Sequence, residues 1–455
     1  MRSLARSLAT CALFAPALLA GSARAAHITD VADAVDETDP FDAYLEVKFD
    51  VTRHSGLLTR ENTQPPEGDP TGTPRSADVR EMSFEHVKFR VKPRLEVGVF
   101  RDLSVFAEWP IILWQQQTWS YGEGVDDTKS TLRRDQACAN GDRVGDDGLC
   151  GDGTAPAASP PVDGWPETRG SGHTRPEITN GTYGFPANNY NAWAFDHTAS
   201  GGFVGYRQGF DNPTFGARFS PLNNERDDTM PTITLQTDYT APFFQFMNPT
   251  TDDIEDPQNP GTVADGVHRF HFSIAMSKRF LVLDPYFAVD YGFGLPASGN
   301  GSLEGYQPRH VGSFTMGMEI VPYEDLKLHQ RFAIDVAGFA TYHSEGRDYS
   351  EVSDVFREQT YTDQYVRTGL KGGIFFRAME YFFFQVDGTI AQDSEHLLTI
   401  EDFGSDGPDD NIEINLDNPT ERNPYYNPAI DTVGRRLKVE QELYLNVLVH
   451  AGITF

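Results

Sequence analysis

From Leu443 to the last residue the chain alternates without a break. Leu443, Leu445, Val447, Val449, Ala451, Ile453 and Phe455 fall on one face, and Tyr444, Asn446, Leu448, His450, Gly452 and Thr454 on the other. A period of two over that length predicts a β-strand with one apolar face. An aromatic final residue after this pattern marks the closing strand of an outer-membrane β-barrel. The alternation recurs upstream, at 43–52, 84–100, 103–119, 213–220, 232–241, 268–277, 285–293, 313–320, 326–342, 365–376, 381–390 and 436–455. That makes twelve strands, an even number, as bacterial single-chain barrels have.

The connections sort by length. Those at 100–103, 221–231, 278–284, 321–325 and 377–380 are short, and those at 53–82, 120–205, 242–267, 294–312, 343–364 and 391–435 are long. Short turns on one side and long loops on the other are expected of an up-and-down transmembrane barrel with both termini in the periplasm. A soluble sandwich has no reason to sort its loops. The predicted fold is therefore all-β: one antiparallel transmembrane barrel over 26–455, with an irregular extracellular loop at 120–205. Trp109, Trp114, Trp119, Tyr286, Tyr291, Tyr342, Tyr381 and Phe382 fall near strand ends, where interfacial aromatic girdles lie. Pro93 sits inside the second strand and cannot donate to the ladder, so a bulge or the strand's periplasmic end is expected there.

The first residues agree with this address. Arg2 and Arg6 precede an apolar run that ends near Gly21, and Ala23-Arg24-Ala25 is a small-x-small cleavage site. A secretory signal peptide over 1–25 and a mature start at Ala26 are expected. Cys11 leaves with it, and no Cys follows the apolar run to carry a lipid anchor. The mean hydropathy of −0.45 would ordinarily indicate a soluble chain. A barrel gives the same value, because only alternate residues face lipid.

Charge excludes one class of partner. With 67 acidic and 37 basic residues the net charge is −30, and loss of the three leader arginines makes it more negative. Nucleic acid is not expected as a partner; outer-membrane lipid and lipopolysaccharide are, and the oligomeric state is left open. Cys138 and Cys150, with eleven residues between them, read as a disulfide in an oxidising compartment. The loop at 391–435 holds eleven acids, with Arg422 and Arg435 its only bases. Asp406, Asp409 and Asp410 are the candidate Ca²⁺ ligands there, since hard cations take carboxylate oxygens from such loops. No fragment matches a full calcium loop, so a solvated acidic surface bridged to lipopolysaccharide by divalent ions is the default. No other cofactor is implied.

If the apolar face meets lipid, the other face lines the lumen. On the second strand it carries His86, Lys88, Arg90, Lys92 and Arg94 in unbroken alternation, the most specific chemical feature of the chain. Lys327, His329 and Arg331 follow on the ninth strand, Arg367 and Lys371 on the tenth, and Arg436 and Lys438 on the last. Glu46, Asp50, Glu96, Asp238, Asp290, Asp335, Asp387, Glu440 and Glu442 share that face. Two readings stand: cross-strand ion pairs that fill and stiffen a narrow lumen, or an anion-attracting wall. Catalysis finds little support. His343-Ser344-Glu345-Gly346 lacks the spacing of a barrel lipase, and no phosphate-binding or His/Glu metal motif occurs.

Pro93 to Val105, with its Val-Gly-Val-Phe-Arg-Asp-Leu-Ser-Val core, resembles a hairpin of the outer-membrane barrels named for the MetA-pathway of phenol degradation. Gly209 to Arg218 is similar to another segment of that family, and so is Leu235 to Pro242; Ser277-Lys278 and Asp284-Pro285-Tyr286 fall where its next hairpin would. Phe243-Phe244 stand where the family has Thr-Gly, and the insert at 120–205 departs from its pattern. The resemblance implies a small transporter-like barrel passing hydrophobic or aromatic compounds, and it brings no functional residues. The expected function is a porin-like channel for passive diffusion of small solutes, anionic or hydrophobic. The alternative is a non-conducting surface barrel whose acidic loops bind a partner or divalent cations.

Overall fold

A computed structural model shows the architecture. It describes residues 26–32, 34, 42–64, 75–122 and 202–454, apart from 225, 228, 250, 299–304, 326, 357, 380, 408–413, 415–417, 427–429 and 432–435. The signal peptide, Phe455 and most of the 120–205 loop lie outside the described residues. Strand β1 spans Ala43–Gln64 and β2 Arg75–Phe100. Strand β3 runs in two segments, Leu103–Glu108 and Ile111–Tyr121, and β4 likewise, Gly202–Phe210 and Thr214–Leu222. Then come β5 (Thr232–Thr240), β6 (Val267–Ser277), β7 (Leu283–Pro296), β8 (Val311–Asp325), β9 (Gln330–His343), β10 (Tyr365–Met379), β11 (Phe382–Asp393) and β12 (Leu437–Thr454).

Each strand pairs antiparallel with the next, and β12 pairs with β1 from Tyr44↔Thr454 to Arg60↔Leu437, which closes the barrel. Closure leaves no free ladder edge in the lipid zone. The outward positions are apolar and exposed, among them Phe49, Leu95, Phe272, Ile274, Val289 and Ile374. A closed barrel with an apolar outer band is an outer-membrane barrel.

Pro93 produces neither a bulge nor a strand end. β2 runs straight through it, paired Val47↔Pro93. The partner strand breaks instead. β2 pairs with the upper segment of β3 up to Val91↔Ile111 and with the lower segment from Arg94↔Glu108. Trp109-Pro110 fills the gap, and Asp211-Asn212-Pro213 breaks β4 beside it, with Asp211 N–H donating to Pro110 C=O at 3.0 Å. Prolines on three adjacent strands thus interrupt the ladder at one level, because none can donate. Trp119 and Tyr286 also differ from the girdle expectation. Both point inward and are buried, while Trp109, Trp114, Tyr291, Tyr342, Tyr381 and Phe382 are exposed. A bulge at Leu113–Trp114 shifts the parity of β3, so Trp119 falls inside.

The inner wall is built partly from rings laid over glycines directly opposite: Phe84 on Gly56, Phe106 on Gly216, Tyr286 on Gly317, Phe339 on Gly369, and Phe383 on Gly452. A Cβ at Gly317 would lie 2.5 Å from the Tyr286 hydroxyl and 2.7 Å from Ala337 Cβ. The Gly317→Val variant should therefore push Tyr286 off Asp335, to which it donates at 2.9 Å. A cost of about 1–3 kcal/mol is expected from overpacking. Loss of the folded, heat-modifiable gel band at a lower temperature would show it; an unshifted transition would show that the ring is free to move.

Candidate functional site

Two elements enter the lumen from opposite ends. On the short-turn side, Ala34 N–H donates to Phe100 C=O at 3.2 Å, and the chain before it runs up inside the barrel. His27–Thr29 forms one turn of 3-10 helix there. Its polar groups are bonded to the wall: His27 N–H to Glu319 Oε1 at 2.6 Å, Thr29 Oγ1 to Ser277 Oγ at 2.8 Å, and Arg218 Nη2 to Ile28 C=O at 2.9 Å. Thr234 Oγ1 donates to Thr29 C=O at 2.9 Å. Ala26 packs, fully buried, on Tyr286 and Ala337, and the His27 ring sits 5.1 Å from Phe375.

At the long-loop side β1 and β2 continue above the lipid band, and their inner face turns apolar. Leu58, Met82, Phe84, Trp119, Leu437 and Val439 form one buried cluster with Ile254, Val352, Val355, Phe356, Leu398 and Ile430 from three different loops. The described loops after β5, β9 and β11 therefore fold inward as a cap. Arginine–carboxylate pairs tie it down. Arg207 Nη2 donates to Asp354 Oδ1 at 2.6 Å and its Nη1 to Asp252 Oδ2 at 2.9 Å. Arg309 Nε meets Asp348 at 2.7 Å and Arg347 Nε meets Glu401 at 2.7 Å. Burial, and then the Asp354 carboxylate, push the Tyr349 hydroxyl of the cap well above its ordinary pKa, so it remains a donor. The loop at 254–261 also covers the upper edge of β4, with Gln208 N–H donating to Gly261 C=O at 3.0 Å.

Between segment and cap lies a cavity of about 690 Å³. Its floor is His27 and Ile28, and its walls carry both charges, with Asp290, Asp335 and Asp387 set against Lys371 and Arg218.

The basic row of β2 faces inward but does not line this cavity. Arg90 Nη2 and Lys92 Nζ both reach Asp50, at 2.6 and 3.1 Å. Arg94 pairs with Glu96 at 2.5 Å and lies 3.9 Å over the Phe106 ring. Lys88 makes no ion pair with a described residue, and His86 packs among Phe84, Trp119 and His54. The wall at β1–β2 is thus a set of ion pairs, across the strands to Asp50 and along β2 to Glu96, with Lys88 left over. Arg331 pairs with Glu319 at 2.7 Å, behind His27. Lys327 does not sit on an inner strand face. β9 begins only at Gln330, so Lys327 lies exposed in the preceding turn, its N–H bonded to Asp325 Oδ1 at 3.0 Å. Asp406 is exposed; Asp409, Asp410, Cys138 and Cys150 lie outside the described residues.

No family model matches this chain, and no curated protein does. Solved structures similar to it include an outer-membrane channel from Pseudomonas putida F1, 11% identical, with 92% of this chain and 100% of that one covered and a TM-score of 0.39. A Pseudomonas aeruginosa FadL homologue is 9% identical over 91% of this chain and 90% of that one, with a TM-score of 0.29. The toluene transporter of Ralstonia pickettii is also 9% identical, over 90% of this chain and 88% of that one, with a TM-score of 0.27. At such identities and scores the likeness transfers no residue, solute or mechanism to this chain.

Proposed function

We propose that the protein is an outer-membrane channel for passive diffusion of small solutes, closed below by residues 26–32 and above by its loop cap. The observation that carries this reading is the cavity between the two closures. A barrel built only as a surface scaffold has no need of a chamber of about 690 Å³ with charged walls in its middle. The inner closure is held by four single hydrogen bonds, the two to hydroxyls contributing on the order of 1 kcal/mol net each and the two to Glu319 and Arg218 about 1.5–3 kcal/mol each. Such contacts exchange readily for water or solute.

Anion bias is assigned to the β2 wall. One carboxylate, Asp50, serves two cations and Lys88 stands beside them, with Asp211 and Glu108 the further acids within electrostatic reach of the row. Fixed basic groups beside a path favour anions. In planar bilayers under a salt gradient, discrete steps with an anion-biased reversal potential are expected. The Arg90→Ala, Lys92→Ala double variant should shift that potential toward cations. An unchanged potential in a conducting variant would remove the row from the selectivity mechanism and leave the cavity carboxylates to set it.

A sealed, non-conducting surface barrel is the second reading. The apolar cluster in the cap favours it, since twelve buried side chains make a firmer closure than a mobile lid needs. A demonstrably folded barrel that never conducts would decide for it.

A further inference from the structure

We propose that His54, Glu442 and Asp393 bind one divalent transition-metal ion at the outer rim of the lumen. The proposal does not depend on whether the barrel conducts.

The donors come from three strands. Nitrogen or oxygen atoms of His54 on β1, Asp393 on β11 and Glu442 on β12 all lie within 4.8 Å of one another. That is a span that bonds of about 2.0–2.2 Å close with small side-chain rotations. His54 Nε2 contacts Glu442 directly. His86 is opposite His54 in the ladder, its ring centroid 6.2 Å away. An imidazole with two carboxylates is a donor set for Zn²⁺, Mn²⁺ or Fe²⁺, and a poor one for Ca²⁺.

Glu442 faces inward by plain alternation with Tyr444 and Asn446, and the β-regularity breaks just beyond it. The β1–β12 register shifts between Ser55 and Leu57, and Gln441 on the opposite strand has φ of +52°. A bulge changes which side chains face inward beyond it: above Glu442 it is Val439 and Leu437, not Glu440 and Lys438, that point into the rim. Gly56, facing the bulge, has no room for a side chain: a Cβ there would lie 2.8 Å from the Phe84 ring.

Glu442 is short of partners at this site. Glu442 is 3% exposed and its Oε2 has no hydrogen-bond partner. Three carboxylates gather here, those of Glu442, Asp393 and, within electrostatic reach, Glu351. Arg367 answers one of them, holding Asp393 by two bonds of 2.6 and 2.7 Å, and Arg309 lies within electrostatic reach of Glu351. That fork fixes the Asp393 carboxylate as hydrogen-bonded neighbours fix metal ligands elsewhere. The competing account is a plain His54–Glu442 ion pair, with a proton on His54 in place of the metal.

The test uses the full-length folded protein in detergent, stripped with EDTA and titrated with Co²⁺ and then Zn²⁺. The expected result is one Co²⁺ per chain with a visible absorption band, displaced by Zn²⁺ and not by Ca²⁺, and a raised unfolding temperature. Glu442→Gln and Asp393→Asn should each weaken binding at least tenfold, and whichever variant folds serves. Asp406→Asn, in the acidic loop, should leave it unchanged. No Co²⁺ band, or a band that survives Glu442→Gln, would overturn the proposal in favour of the ion pair or of adventitious binding by acidic loops.

Discussion

A variant lacking residues 27–32 is expected to pass severalfold more current per channel than the intact protein. These residues occupy the lower lumen and take part in four hydrogen bonds to its wall, to Glu319, Ser277, Arg218 and Thr234. Deletion opens the path without touching the strands, because β1 begins at Ala43. The wall left behind stays satisfied, since Arg331 still pairs with Glu319 at 2.7 Å. A locked variant gives the opposite sign. Thr29 Oγ1 and Ser277 Oγ stand 2.8 Å apart, so Thr29→Cys with Ser277→Cys places two thiols within disulfide reach. The oxidised form should be silent, and reductant should restore conduction. If deletion leaves the conductance unchanged, the lower segment is not the barrier, and the cap or another route must be.

The barrel was legible because lipid enforces a period of two on every strand, whatever lines the lumen. That is why twelve strands could be counted from apolar alternation alone, and why the β2 row stood out. Its strict spacing of His86, Lys88, Arg90, Lys92 and Arg94 is the polar half of the same rule. The pairing of that row with Asp50 was also within reach, because β1 and β2 are hairpin neighbours. What alternation cannot show is where it breaks. The upper segment of β4, Gly202–Phe210, has too many glycines to read as a strand. The bulge at Leu113–Trp114 sent Trp119 inward, against its expected girdle place.

Contacts between distant segments left no trace at all. His27 meets Glu319 across 292 positions, and nothing in Ala-His-Ile-Thr-Asp marks a segment that enters a barrel. The rim cluster was hidden twice over. β1 reads as ending at Thr52, before His54, and the strand that carries Asp393 reads as ending at Ile390, so alternation marks only Glu442 on the inner face. The cap was hidden because its apolar residues are spread singly through polar loops and gather only in the fold.

The cap is where a single substitution should do most. Arg207 is 1% exposed and donates to Asp354, Asp252, Tyr349 and the Thr262 carbonyl, joining the loops after β5 and β9 to the wall of β4. Replacing it with alanine leaves two carboxylates facing each other, one of them on a side chain 2% exposed. Breaking a buried pair from one side costs about 3–5 kcal/mol, mostly because the remaining charge stays buried and alone. The barrel does not depend on this pair, since its ladder closes through β1 and β12. The loss should therefore appear as local opening of the cap. Limited proteolysis should cut Arg207→Ala within 242–266 or 344–364 while the barrel keeps its folded gel mobility. Adding Asp354→Ala to that variant should recover part of the protection, because the stranded carboxylate is then gone, and the two effects should fall short of their sum. Recovery is the decisive outcome. A double variant as open as the single one would mean that shape, not charge, holds the cap closed, and that the apolar cluster around Trp119 alone seals the outer end.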